Sequence, residues 1–389
     1  MNLLISNNWK KMNGIKLLTV MMLFTYCSIA RAGGDDITIG KTVTIHSKIL
    51  NEERTMLVYL PPDYEQGTEE YPVLYLLDGE THFFHGSGIV EYLSRLGLIP
   101  QLIVVAITNV DRTRDFSPTH VENQPTTGGA EKFLSFLDDE LIPHIDNQYR
   151  TAKFRILMGH SFGGTFATYS LFNNPELFNA YIAISPYLQY DDNYLVKQAK
   201  TKLKSKYRTH KFYSMTVGNE INYFEPLKEF SAIMKDRSGK TIDFQYTIMR
   251  DEDHGSIPHL SIYNGLSYIF SDFILPQHKF NEGLAAVDAH FATVTEKYGY
   301  QVETSELTIN FLGYRYLQNN DMENAIRIFK ENIKRYPKSA NVYDSLGEAY
   351  ENSGQIDLAK ANYQMAYELG MQNGNPNTEV YHTNLLRVQ

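Results

Sequence analysis

A mostly parallel β-sheet wrapped by helices, an α/β fold, followed by an all-α helical-repeat domain, is the architecture this sequence predicts. Three observations carry it. Continuous apolar runs (Tyr71 to Leu77, Leu102 to Val110, Ala180 to Ser185) alternate with helical candidates, the pattern of strands buried on both faces and joined by crossover helices. The run Phe154 to Met158 breaks at Gly159-His160-Ser161-Phe162-Gly163-Gly164 and is followed at once by an apolar helical stretch, Thr165 to Phe172. Beyond Pro276 the strand pattern stops, and a helical pattern with a period of 34 residues takes over.

Residues 1–32 stand apart from all of this. Lys10, Lys11 and Lys16 precede the apolar run Leu17 to Ile29, and Ala30-Arg31-Ala32 closes it, which are the three parts of a secretory signal peptide. The run is short for a membrane span. Its removal takes four basic and no acidic side chains, moving the formal net charge from −9 to −13, together with the single Cys (Cys27) and single Trp (Trp9). The mature chain is thus expected in the periplasm or outside the cell, without disulfides and off the membrane, and its acidity disfavours nucleic-acid partners.

In order, Ile37 to Ile49 and Arg54 to Leu60 read as two antiparallel strands ending at Pro61-Pro62, since proline cannot sit in a central ladder. Tyr71 to Leu77 is the next strand, Gly88 to Leu98 a helix, Leu102 to Val110 a strand and Gly128 to Gln148 a helix. After the glycine-rich corner come strands Ala180 to Ser185, Lys211 to Val217 and Thr241 to Met249, with helices from Phe224 and from Ile257 to Phe273. Domain limits of 33–278 for the sheet and 279–389 for the helices follow. In such sheets ligands bind beyond the carboxyl ends of the strands, so polar residues at those ends are the candidates for chemistry.

Ser161 is the candidate nucleophile. A serine on a sharp strand-to-helix corner presents its hydroxyl, with the backbone N–H of the following Phe162 aimed at the same space. Asp78-Gly79-Glu80 ends an earlier strand, where the Glu80 N–H would be a second oxyanion donor. Acids after a later strand suit the orienting carboxylate, and chain order gives Glu220, with Glu225 in reserve. His254, in Asp253-His254-Gly255-Ser256 after the last strand, fits the base, because an imidazole titrates near neutrality. His160 is expected to point away from the site, and His259 to serve packing. Arg112 and Arg114, in Asp111 to Asp115, would either hold an anionic substrate or form an internal salt-bridge cluster. No metal is expected, since His82 and His85 have no partner ligands nearby in sequence.

Together Tyr59-Leu60-Pro61-Pro62-Asp63-Tyr64, Leu76-Leu77-Asp78-Gly79, Asp111 to Asp115, Gly159 to Gly164 and Asp253 to Ser256 resemble the putative-esterase family of α/β-hydrolases. Siderophore esterases of the enterobactin and salmochelin type, feruloyl esterases, S-formylglutathione hydrolases and mycolyltransferases belong to it. The resemblance covers Asp36 to Pro276. It implies acyl transfer from a small-molecule ester, without a cofactor, with Ser161 as nucleophile, His254 as base, and the Glu80 and Phe162 amides as oxyanion hole. Because some members work with a Ser-His pair, the acid stays open. Aromatics in Phe83 to Gly88 and Tyr187 to Tyr194 suit a bulky or aromatic ester.

In the C-terminal part Leu312, Gly313, Tyr316, Ala325 and Phe329 recur 34 residues later as Leu346, Gly347, Tyr350, Ala359 and Tyr363. This resembles tetratricopeptide repeats, with Asn281 to Lys297 a further helix of the stack. About three repeats are needed to bury a continuous core, so the array is expected to dock on the hydrolase or on a second copy, or to hold a peptide. A non-catalytic interaction protein working through the repeats, and an acyltransferase, are the alternatives to hydrolysis.

Overall fold

The polypeptide enters the sheet from its antiparallel edge. In the computed structural model, which describes residues 37–389 other than Asp63, Gln66, Ser205 and Ser238, the strands are β1 Lys41–Ser47 and β2 Glu52–Tyr59, then β3 Tyr71–Leu76. Helix α1 Gly79–Arg95 leads to β4 Ile103–Ile107 and the short α2 Arg112–Phe116. Helix α3 Ala130–Phe136 continues through a π-helical turn, Leu137–Leu141, into α4 Ile142–Gln148. Next come β5 Thr151–His160, α5 Phe162–Asn173, β6 Ala180–Ile184, α6 Tyr190–Lys202, β7 Lys211–Val217, α7 Phe224–Arg237, β8 Ile242–Ile248 and α8 Ile257–Ile269. Helices α9 Gln277–Glu282, α10 Leu284–Tyr298, α11 Glu306–Gln318, α12 Met322–Arg335, α13 Ala340–Asn352, α14 Ile356–Asn373 and α15 Thr378–Arg387 complete the chain. The expected signal peptide, residues 1–32, lies outside the described residues. Gly40–Gln389 form one unit.

The sheet runs β1-β2-β4-β3-β5-β6-β7-β8. Only β1 and β2 are antiparallel to their neighbours, and every pair from β4 onward is parallel. Strand periodicity sorts the core into two layers. Tyr75, Leu157, Tyr181, Tyr213 and Met215 meet Phe116, Phe133, Phe166, Val196 and Phe230 on one face. Leu74, Leu76, Ile156, Met158 and Ile182 meet Val90, Leu93, Ile262 and Leu266 on the other. Full burial of each such side chain contributes about 1.5–3 kcal/mol.

Several boundaries differ from those expected. The first strand begins at Lys41, and residues 37–39 are not in a strand. Helix α1 starts at Gly79, nine positions before the expected Gly88, because Asp78 takes a left-handed conformation (φ 55°) that turns the end of β3 straight into a helix. Tyr190 opens helix α6 within the expected pocket loop, with Asp191, Asp192 and Asn193 in left-handed conformations. The helix expected over Asn281 to Lys297 is broken at Gly283, whose φ of 90° an L side chain rarely adopts.

The helical region joins the sheet through α10. Val287, Phe291, Val294 and Tyr298 lie in the same cluster as Phe154, Phe212 and Phe270. Tyr298 stacks on Phe212 with centroids 5.5 Å apart, and its hydroxyl donates to the Ile269 carbonyl at 2.8 Å. Farther on, the repeated glycines show why they recur: a Cβ on Gly313 would lie 2.4 Å from the Phe329 ring, and one on Gly347 2.7 Å from the Tyr363 ring. Each glycine lets one helix of a pair close on the aromatic of the other.

Candidate active site

The polar residues singled out by strand ends lie beyond β3, β4, β5, β7 and β8. Gly159 makes the corner possible, since a Cβ there would stand 2.1 Å from the Gly163 carbonyl oxygen. Ser161 is forced to φ 58°, ψ −118° and is half-buried. Its backbone is pinned from both sides: its N–H donates to the Ile184 carbonyl at 2.8 Å, and its carbonyl accepts from Tyr187 N–H at 3.3 Å. Phe162 opens α5 and Glu80 lies in the first turn of α1. Amides at these positions have no intrahelical acceptor and face a helix N-terminus, where anions are favoured.

His254 and Glu220 meet. The imidazole Nδ1 hydrogen-bonds Glu220 Oε1, with the carboxylate 8% and the imidazole 42% exposed. The other carboxylate oxygen, Oε2, accepts from the Ser185 hydroxyl at 2.5 Å and from Gly218 N–H at 3.0 Å. Their two loops are joined at backbone level, Asn219 N–H donating to the Glu252 carbonyl at 2.7 Å. Asp253 stiffens the turn by accepting from the N–H groups of Gly255 and Ser256 at 2.8 and 2.9 Å. Glu225, the reserve acid, is 86% exposed beside Lys228 and does not join this group.

Tyr223 links the histidine to the serine. Its ring lies 5.5 Å from that of His254; burial pushes its phenol pKa up, and the Ser161 hydroxyl pulls the other way. Phe162, Tyr187, Tyr190 and Tyr223 form a continuous aromatic wall, with ring centroids 5.3 Å (Phe162 to Tyr187), 5.4 Å (Phe162 to Tyr190) and 5.8 Å (Tyr187 to Tyr223) apart.

The two arginines are engaged internally. Arg112 grips Asp78 with Nε and Nη2 at 2.5 and 3.0 Å, and Nη2 also donates to the His160 carbonyl at 3.0 Å. It thereby ties the end of β3 to the end of β5. Asn109 braces the same corner, its amide donating to Asp78 at 2.8 Å and to Glu80 at 2.7 Å. Arg114 pairs with Glu52 at 2.6 Å and Asp115 at 2.8 Å, and the fully buried Arg54 pairs with Asp115 at 2.7 Å. All three side-chain nitrogens of Arg114, Nε, Nη1 and Nη2, donate to carboxylates.

His160 departs from expectation. It stands under the base, its ring centroid 4.5 Å from that of His254, because β5 runs on through His160 and sends its side chain toward the α1 and α8 layer. There the file continues, His160 to His82 at 5.9 Å, His82 to His85 at 5.2 Å and His85 to the exposed His259 at 5.5 Å. Burial, reinforced by His254, pushes the His160 pKa down to about 3, and burial pushes His85 down to about 4. His160 and His85 are therefore neutral at pH 7. Among the described residues no group of three or more His, Cys, Asp or Glu side chains is arranged to hold a metal ion.

Sequence reading missed Ser185, Asn109 and Tyr223. Ser185 and Asn109 each follow a buried strand by one or two residues, the same signal that marked Asp78, and Tyr223 lies three residues past Glu220.

Comparisons with known proteins bear on the family and the fold. The family model described as "Putative esterase" matches residues 47–218. The ferri-bacillibactin esterase BesA of Bacillus subtilis is 31% identical over 170 residues, 38% of this chain and 59% of that enzyme. A siderophore triacetylfusarinine C esterase of Aspergillus fumigatus is 26% identical over 165 residues, 38% of this chain and 55% of its own length. The chain therefore spans less than two thirds of either enzyme. An IroE-like serine hydrolase from Shewanella oneidensis superimposes with a TM-score of 0.68 at 27% identity, over 76% of this chain and 99% of that one. An uncharacterised Capnocytophaga ochracea protein shares the fold over 90% of this chain and 99% of its own, with a TM-score of 0.62 at 19% identity. Residues 47–218, within the α/β part of this chain, thus carry the likeness to the putative-esterase family.

Proposed function

We propose that the protein is an exported serine esterase that cleaves a carboxylic ester by a two-step acyl transfer. The observation that carries this reading is the carboxylate-bound imidazole of His254, packed on the ring of His160, the residue just before the strained corner at Ser161. His254 takes the Ser161 proton as the hydroxyl oxygen attacks the ester carbonyl, and Glu220 holds the ring and stabilises the imidazolium that forms. The Phe162 and Glu80 amides receive the oxyanion, and loss of one such donor typically costs about 3 kcal/mol. His254 then returns the proton to the leaving alcohol, and water repeats the sequence to free Ser161.

For the substrate we favour an ester with planar aromatic rings, of the siderophore type. Two relatives are named for siderophore substrates, and the wall of Phe162, Tyr187, Tyr190 and Tyr223 offers offset stacking beside the nucleophile. Hydrolysis of p-nitrophenyl acetate, an aromatic-acyl ester and a tricatecholate trilactone by wild type and Ser161→Ala tests the reading. Ser161→Ala should lose at least about 10⁴-fold in kcat; equal rates in both proteins would end the proposal.

A further inference from the structure

We infer that Ser185 is a positioning residue that locks the acid to the nucleophile; the inference rests on the esterase reading for its kinetic arm only. Ser185 follows β6, is fully buried, and takes a φ of 39°, a left-handed conformation that a non-glycine residue adopts only when its surroundings impose it. What imposes it is visible. Ser185 N–H donates to the Thr216 carbonyl at 2.8 Å, and the next residue, Pro186, packs on Gly164, where a Cβ would stand 3.0 Å from the proline.

The bend aims the Ser185 hydroxyl at Glu220 Oε2, the oxygen that His254 does not use. The residues on either side, Ile184 and Tyr187, hold the backbone of Ser161 through its N–H and its carbonyl. One four-residue stretch, 184–187, therefore grips the serine and the carboxylate at once. Without the hydroxyl, Oε2 keeps only the Gly218 amide, and a half-satisfied carboxylate in a nearly dry site is free to rotate away from the imidazole. A glycine would suit the backbone better. That a serine stands here, at the cost of strain, is accounted for by what its hydroxyl does.

Ser185→Ala should lower kcat about 10- to 100-fold, the worth of a hydrogen bond to a charged group, with KM within about twofold. In a Glu220→Gln background the same change should cost less than about twofold, because Ser185 acts through the carboxylate. Ser185→Gly relieves the backbone, so it should melt at or above the wild-type temperature and still show the low kcat. A readout independent of any substrate is the low-field proton resonance of the His254–Glu220 hydrogen bond, identified by its loss in Glu220→Gln. It should shift or broaden in both Ser185 variants. Wild-type kcat in Ser185→Ala, an equal loss in the Glu220→Gln background, or an unmoved resonance would each overturn the inference. Failure of wild type to cleave any ester would overturn the esterase reading and leave the resonance to decide on Ser185.

Discussion

At the scale of single residues, the site is built from backbone conformations that L-amino acids avoid. Asp78, Ser161 and Ser185 have φ values of 55°, 58° and 39°, and each sits where a parallel strand ends at the crevice. Strain of this kind costs on the order of 1–3 kcal/mol per residue and persists only where the surroundings over-determine it. Gly159 is part of that surrounding. Gly159→Ala would drive a methyl into the Gly163 carbonyl 2.1 Å away, so backbone must move; urea unfolding should show a loss of several kcal/mol, in the range of severe overpacking. An unchanged midpoint would mean that the elbow is looser than described. Ser161 and its glycines were legible in sequence because a turn this tight admits few residue types. Ser185 was not, since nothing in Ser-Pro-Tyr announces a positive φ or a partner 35 positions away.

At the scale of elements, the file of histidines between β5, α1 and α8 has a consequence for acid stability. The unfolded chain binds a proton on His160 near pH 6.5, whereas burial keeps the folded ring neutral down to about pH 3. More protons bound in the unfolded state means that stability falls as pH falls, by up to about 1.4 kcal/mol per pH unit for each such group below pH 6.5. His85, neutral to about pH 4, adds to the same slope. Denaturant titrations at pH 7 and 5 should therefore show a smaller difference for His160→Gln than for wild type; identical differences would contradict the buried neutral state. Strand order and layering were legible because continuous apolar runs leave little choice. The early start of α1 was not, because His82, Phe83, Phe84 and His85 mask the helical period and the turn at Asp78 leaves no loop to mark the boundary.

At the scale of the whole molecule, the helical region shares a core with the sheet domain. Tyr298 is 2% exposed and packs on Phe154, Phe212 and Phe270 from the sheet side. Tyr298→Ala should cost about 3–5 kcal/mol in a single unfolding transition, while Leu307→Ala, at a 71% exposed position, should stay within about 0.5 kcal/mol. Separate transitions would instead mean that the two parts fold independently. The period of 34 residues and the need for a docking partner were legible in sequence, but which helix does the docking was not, since α10 precedes the repeat.

The central claim is that Ser161 is a nucleophile activated by His254. Intact-mass kinetics with a fluorophosphonate, followed by peptide mapping, tests it most directly: one adduct is predicted, on Ser161, absent in Ser161→Ala and at least about 10²-fold slower to form in His254→Ala. No adduct on the wild type, or one that forms at the same rate without the imidazole, would contradict it.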